Sequence, residues 1–401
     1  MKCQLCDRKI QKIFSLGKIS ICNNFTKISS KKKIQKYPLD LYQCKFDKLV
    51  QLGRNYRREN LFGDQYDYLT GSSEPAKKYF KKTANDLIKR FNLKKGDAVI
   101  EIGCNDGTLL NYFKEKKITI LGIDGSKKSY DSSKNKKYIL NTFFEKGISK
   151  KIFERINKDK IKLILAFNVL AHSNNLKEMM IEIKNLMSEK TILVTQNHSL
   201  NELIKNSEFD TIYHEHLRYF SSHSFNNLLK KFKLNLFYIR EKYYYGKSLL
   251  FFSSLKPLKI DSLSLKFLNR DRKLKIVKSF SLLKEKLKNK KKQILYLLNE
   301  LKRKNLKVVG IGAPMKSTIF LNYFKINKKL IQYILEVNKY RINKKIPGVE
   351  IPIYLETLKN LKDDYLFILS WNMHNQIADK IKKKGYKNKF IKLYPNIKIH
   401  S

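Results

Sequence analysis

Between Ala98 and Phe113 the hydrophobic pattern changes period. Ala98, Val99, Ile100 and Ile102 form a short apolar run that predicts a buried strand, whereas Leu109, Leu110 and Phe113 fall at helical spacing. Gly103 and Gly107 stand at the change, where the backbone must turn sharply, so VIEIGCNDGTLL reads as strand, tight loop and helix. ITILGID (118–124) predicts a second strand ending on Asp124, 161–166 a third, and TILVTQNH (191–198) a fourth with His198 at its tip. YYYGKSLLFFS (243–253) adds one more strand. Strand and helix thus alternate over 96–252 at the spacing of a doubly wound α/β domain, after an amphipathic helix over 76–91.

Upstream, YPLDLYQCKFDKLVQL (37–52) alternates as short strands do. The turn-rich stretch from Asn60 to Phe80 brings in Tyr66 and Tyr68, which either line a ligand pocket or pack on the next helix. Downstream, Leu274, Ile276, Val277, Phe280, Leu283 and Leu287 predict one long amphipathic helix over about 265–304, its lysines a solvated face. LKVVGIGAPMKSTIFLNYF (306–324) then repeats strand, glycine loop and helix, followed by strands in IQYILEV, YLFILSW and FIKLYP. The expected boundaries are a small domain over 1–60, an α/β domain over 61–253, and a second α/β domain over 254–401 that opens with the linking helix.

A length of 401 residues exceeds one ordinary core, and 42% hydrophobic with 12% aromatic residues is ample for packed ones. No run of eighteen apolar residues occurs, and MKCQLCDRKI has no apolar signal core, so the expected location is the cytoplasm without a membrane partner. The net charge of +50 raises a polyanion as partner. Only 12 of the 85 cations are arginine, the residue whose planar fork favours phosphate and base readout. A chain-wide Lys, Ile and Asn bias accounts for the charge, and nucleic acid is not the expected partner.

Four of five cysteines lie near the N-terminus: Cys3 and Cys6 as C-x-x-C, then Cys22 and Cys44. In a cytoplasmic chain such a set reads as metal before disulfide. Zinc takes four ligands in a tetrahedron, which two knuckles supply. The second knuckle has Asp47 three positions after Cys44, so the ligands are Cys3, Cys6 and Cys44 with Asp47 or Cys22, or the knuckle keeps its fold without metal.

In an open α/β sheet ligands bind beyond the carboxyl ends of the strands, where Asn168, His172 and His198 fall. The helix after Gly107 would aim free N–H groups at a carboxylate or phosphate. Three of seven histidines crowd into 214–223, and Tyr213, His214, Glu215 and His216 together offer a phenol, two imidazoles and a carboxylate. An imidazole titrates near neutrality and a neighbouring carboxylate orients it, which is the make-up of a general base. Metal binding by HEH needs a strand and a third ligand, and none is evident. Gly310, Gly312 and Lys316 either hold a diphosphate or form a ligandless turn.

The loop from Glu101 to Gly107, with Asp124 after the next strand, resembles the S-adenosylmethionine loop of class I methyltransferases. Taken with the cysteine knuckle, IYHEHLRYFS and GAPMKSTIFLNYF, nearly the whole chain resembles the zinc-containing sugar C-methyltransferases, which act on nucleotide-linked deoxy-keto-sugars. The resemblance implies an α/β chain with a zinc-knuckle domain, a class I Rossmann-like methyltransferase domain and a second Rossmann-like domain that grips the nucleotide. Glu101, Gly103, Asn105, Asp106, Gly107, Asp124, Asn168 and His172 would then hold S-adenosylmethionine, with Asp124 on the ribose. His216 would be the general base, Tyr213, His214 and Glu215 would line or tune the site, and Tyr66 or Tyr68 would enter from before the cofactor domain. Asp47, Gln196 and His198 depart from the family's pattern. Two other readings compete: an RNA O- or N-methyltransferase, and a cofactor-binding scaffold without catalysis.

Overall fold

Alternate residues of the first sheet strand, β1 (Ala98–Ile102), bury on opposite faces. Ala98, Ile100 and Ile102 join one core and Val99 the other, so the strand is covered on both sides, as its unbroken apolar run requires. The computed structural model describes residues 1–56, 61, 68–243, 246–357, 365–393 and 396–400. Around β1 stand β2 (Thr119–Ile123), β3 (Ile139–Leu140), β4 (Ile161–Phe167), β5 (Ile192–His198), β6 (Asn235–Tyr243) and β7 (Lys247–Ser254). Their order is β3-β2-β1-β4-β5-β7-β6; the first five are parallel, and β7 runs antiparallel to both its neighbours. Strand order reverses between β1 and β4, the switch point beside which open α/β sheets bind their ligands.

Helix α1 (Glu74–Phe91) covers one face with Ala76, Phe80, Ala84 and Leu87. It starts two residues before the expected Ala76, because the Ser73 side chain accepts the Ala76 N–H and Pro75 sits in the first turn. Helix α2 (Thr108–Lys114) follows the glycine loop. Helix α3 (Leu176–Leu186) covers the other face, where Cys3, Leu5, Cys44 and Leu49 are buried in the same core.

The chain divides into two units: Met1–Gln11, Tyr42–Asn201 and Glu215–Leu274 in the first, and Lys12–Leu41, Glu202–His214 and Lys275–Ser401 in the second. The division crosses the chain between His214 and Glu215. The second unit has its own sheet from β8 (Val308–Ile311), β9 (Ile334–Glu336), β10 (Ile353–Leu355), β11 (Tyr365–Ile368), β12 (Lys389–Lys392) and β13 (Lys398–His400), ordered β10-β9-β8-β11-β12-β13. All are parallel except β13.

The single long helix expected over 265–304 is two helices, α4 (Ser262–Arg272) and α5 (Ile276–Arg303). Asp271 explains the break. Its carboxylate accepts the Ser222 N–H at 2.7 Å and hydroxyl at 2.8 Å, holding α4 on the first unit, and the second unit begins at Lys275. No glycine or proline marks that point, so an uninterrupted amphipathic pattern conceals it.

Candidate active site and metal centre

The loop after β1 needs its glycines. Gly103 has φ +68, and a Cβ there would stand 2.4 Å from Val169 Cγ2. Gly107 has φ +76. Asp124, at the tip of β2, accepts the Asn105 N–H and the Ser126 N–H, both at 2.8 Å, one on each oxygen. Each oxygen keeps a further lone pair for a hydroxyl donor. Burial raises its pKa and the two N–H groups oppose the rise.

Glu101 is buried, and its Oε2 has no hydrogen-bond partner among the described residues. Burial pushes its carboxyl well up, with Asp106 and Asp124 adding to the effect. Three carboxyl groups thus gather at one loop of a chain whose net charge is +50. Such a cluster favours a cationic ligand, whose charge relieves the repulsion.

The side chains of Asn105 and Asp106 reach back to the segment before α1. Asn105 Oδ1 accepts the Thr70 N–H at 2.8 Å, its Nδ2 donates to Tyr68 O at 3.0 Å, and Asp106 Oδ2 accepts the Gly71 N–H at 2.7 Å. Tyr68 is therefore fastened at its backbone beside the loop, while Tyr66 lies outside the described residues. Asp106 Oδ1 also accepts the Thr108 N–H at 3.2 Å and hydroxyl at 2.6 Å. The start of α2 is thus capped by the loop's own carboxylate instead of presenting all its N–H groups to an anion.

The turn after β4 joins this loop to the histidines. Asn168 (φ +56) is exposed and donates its N–H to Gln196 O at 2.8 Å, Val169 packs on Gly103, and the Ala171 carbonyl accepts the Leu217 N–H at 2.8 Å. His172, the last residue of the turn, meets His216 edge to face with ring centroids 4.9 Å apart. Desolvation lowers its pKa to about 4, against a hydrogen bond to the Glu215 backbone, so it is neutral near pH 7. His216 is half-buried and Glu215 buried. At the end of β5, Gln196 accepts the Tyr79 hydroxyl at 2.5 Å, whereas Gln196 Nε2 and Asn197 Oδ1 are buried without a partner among the described residues.

Tyr213 and His214 belong to the second unit, and both are buried. There His214 Nε2 lies 3.5 Å from the Tyr37 carbonyl, and burial holds its pKa down at about 4. Asp210, just upstream, accepts the Trp371 indole N–H at 2.5 Å. Lys316 stands 5.2 Å over the same Trp371 ring.

Cys3, Cys6, Cys44 and Asp47 form the metal-ligand cluster of the described residues, all within 4.8 Å of one another. Asp47 Oδ2 is 3.5 Å from Cys3 Sγ and 3.7 Å from Cys44 Sγ, and Cys6 Sγ is 3.6 Å from Cys44 Sγ. A tetrahedron with ordinary zinc bonds has edges of about 3.8 Å between sulfurs and about 3.5 Å from sulfur to oxygen, so the residues fit zinc. The Leu5 and Asp47 N–H groups each point at a cysteine sulfur at 3.4 Å, which stabilises thiolates. Of the two candidates for fourth ligand, Asp47 is in the cluster, and Cys22 belongs to the second unit.

The first unit thus collects Tyr68, Glu101, Gly103, Asn105, Asp106, Gly107, Asp124, Asn168, His172, Glu215 and His216. Sequence reasoning missed Tyr79, Asn197 and Arg218. Tyr79 sits in a helix whose period accounts for it, and Arg218 stands in the IYHEHLRYFS string with no role assigned to it. The position of Asn197, at a strand tip beside Gln196 and His198, is the one available signal.

Three family models match the chain in succession: "Putative zinc binding domain" over 3–62, "Methyltransferase domain" over 76–238 and "C-methyltransferase C-terminal domain" over 264–395. The C-methyltransferase NovU of Streptomyces niveus is 24% identical over 356 residues, covering 86% of this chain and 83% of that protein. Among solved structures, a SAM-dependent methyltransferase from Aquifex aeolicus aligns with TM-score 0.34 at 15% identity, over 45% of this chain and 98% of its own. Magnesium protoporphyrin IX methyltransferase of Synechocystis with bound SAH aligns with TM-score 0.35 at 13% identity, over 45% of this chain and 83% of its own.

Proposed function

With the chain a member of the class I, S-adenosylmethionine-dependent C-methyltransferases, we propose that it methylates carbon next to the ketone of a nucleotide-linked 4-keto-deoxy-sugar, with His216 as general base. The observation that carries this reading is the 169–172 turn. Through Val169 it touches the carboxylate-rich loop, and through Ala171 and His172 it holds Leu217 and the His216 ring. A cation-favouring loop and a candidate base thus share one support.

Carbon becomes nucleophilic only when a proton leaves it, and a neighbouring carbonyl makes that proton removable. His216 takes the proton at C3 of the sugar, and the enolate oxygen receives support from a nearby tyrosine or histidine hydrogen-bond donor. His172 is neutral and so does not repel the imidazolium that forms on His216. S-adenosylmethionine, when bound, supplies an electrophilic methyl group to the carbanionic carbon. Asp106 and Asp124 would offset its positive charges, with Glu101 joining them once a bound cation favours its ionised form, and Asp124 would use its remaining lone pairs for the ribose hydroxyls. Positioning of the two reactants is the other contribution of the site. Zinc on Cys3, Cys6, Cys44 and Asp47 has a structural part, since four protein ligands leave no open position.

The test is proton exchange in deuterated buffer with a panel of nucleotide-linked 4-keto-deoxy-sugars, read by mass spectrometry with and without S-adenosylmethionine. Deuterium uptake beside the ketone, then gain of a methyl group when the cofactor is added, is the expected result. No uptake on any sugar with the cofactor bound would replace this reading by methylation of RNA or by a scaffold role.

A further inference from the structure

Among the described residues Arg218 is the largest side chain to be fully buried, and its placement is unusual for a guanidinium. Its Nη1 donates to the Leu170 carbonyl at 3.2 Å and to the Ser173 carbonyl, the two ends of the turn that carries His172. Among the described residues, its Nε and Nη2 have no hydrogen-bond partner. An unbalanced buried cation is costly, so the compensating charge must come from its surroundings. With zinc bound, three thiolates and one carboxylate around a divalent ion would carry a net charge of −2, and the knuckle is joined to Arg218 through the backbone.

The backbone on either side of Arg218 makes the same connection. Arg218 pairs with Gln51 and Tyr219 with Val50 in an antiparallel ladder, extended by the Leu52 N–H to Leu217 O at 2.9 Å. Gln51 in turn holds the first knuckle, accepting the Gln4 N–H at 2.9 Å and donating to Lys2 O at 3.3 Å. On its other side, Leu217 donates to Ala171 O within the His172 turn.

We propose that Arg218 is a positioning residue that ties the cysteine-carboxylate centre to the His172–His216 pair, so that metal occupancy sets the geometry of the base. The proposal rests on the reading of His216 as that base. It makes the N-terminal knuckle part of the catalytic support as well as a fold-stabilising module.

The full chain loaded with zinc, and its Arg218→Met and Arg218→Lys variants, test this by release of zinc to a chelator, histidine side-chain resonances in 13C-labelled protein, and S-adenosylmethionine affinity. His172 and His216 resonances are assigned through His172→Gln and His216→Gln. Arg218→Met is expected to release zinc about tenfold faster or more, the usual cost of losing an outer-shell partner. It should also move both histidine resonances and, through the Val169 contact with the cofactor loop, weaken S-adenosylmethionine binding, and Arg218→Lys, which keeps the charge, should recover part of each. Zinc release at the wild-type rate, or unmoved resonances, overturns the proposal, as does a wild-type chain that binds no zinc. If Arg218→Met does not fold, zinc is stripped from the wild-type chain and restored. Resonances of His172 and His216 that shift and return support the tie, and unchanged ones overturn it. None of these readouts needs a substrate. Should no sugar take up deuterium while they behave as expected, the tie stands and the C-methylation reading alone falls.

Discussion

The two glycine loops of this chain share one sequence logic and end differently. In the first unit β1 leads through Gly103 and Gly107 into α2, with Asp124 at the tip of the adjacent strand. In the second, β8 leads through Gly312 (φ +80) into the helix Met315–Phe324, with Glu336 at the end of the adjacent strand β9. Asp124 takes one backbone N–H on each oxygen, and beside it Glu101 keeps an oxygen without a partner among the described residues. Glu336 takes three, from Ala313 and Val337 at 2.7 Å and from Asn338 at 3.0 Å. Arg341 then donates to Ala313 O at 2.5 Å, and a Cβ on Gly312 would stand 2.6 Å from Ser370 Oγ. The second loop is bonded to itself, whereas the first retains unsatisfied polar capacity. Strand, glycine and helix define a turn, and what the acid at the neighbouring strand tip already holds decides whether a ligand is needed there.

The largest effect expected is on the chemistry tied to the first loop. His216→Ala should lower turnover about a thousandfold or more, in the range of lost acid–base catalysis, with cofactor affinity nearly unchanged by calorimetry. Retained turnover would remove His216 as the base. The two acids should separate next. Asp124→Ala is expected to weaken S-adenosylmethionine binding about 10- to 100-fold through lost charged hydrogen bonds. Glu336→Ala should leave that affinity alone and cost about 3 kcal/mol in urea unfolding, because buried N–H groups lose their acceptor. Cofactor affinity lost in Glu336→Ala would break the contrast between the loops.

A smaller effect follows from the fastening of residues 68–71. Asn105→Ala removes the acceptor of the Thr70 N–H and the donor to Tyr68 O, and should lower stability by about 1–2 kcal/mol and speed proteolysis near that segment. The last effect is on pH dependence. His172 titrates at about 4 in the folded chain against an ordinary 6.5, so between those values the unfolded chain binds more protons and folding weakens as the pH falls. Buried Glu101 and Asp124, whose pKa values are raised, act in the opposite direction. The urea midpoint of His172→Gln relative to wild type should therefore rise steadily from pH 6.5 to 4. A constant difference would show that His172 does not carry this linkage.

What could be read from the chain alone was whatever depends on local period and on single residue types. The runs at 98–102, 119–123 and 161–167 are apolar enough to be strands wherever they lie, and Gly103 and Gly107 mark a turn only glycine makes easily. Asp124 and His198 follow from their places at strand tips, and the knuckle ligands from C-x-x-C spacing. Tertiary structure decided everything that depends on partners distant in sequence. It alone placed Asp47 against Cys3 and Cys44, divided the histidine string between two units, split the linking helix at Asp271, and turned Asn105 and Asp106 back onto residues 68–71. It also buried Arg218 under the His172 turn. The physical reason is that a backbone conformation is a short-range preference, set within a few residues. The state of a buried polar group is set by which donors, acceptors and charges the fold brings to it, and these come from any point along the chain.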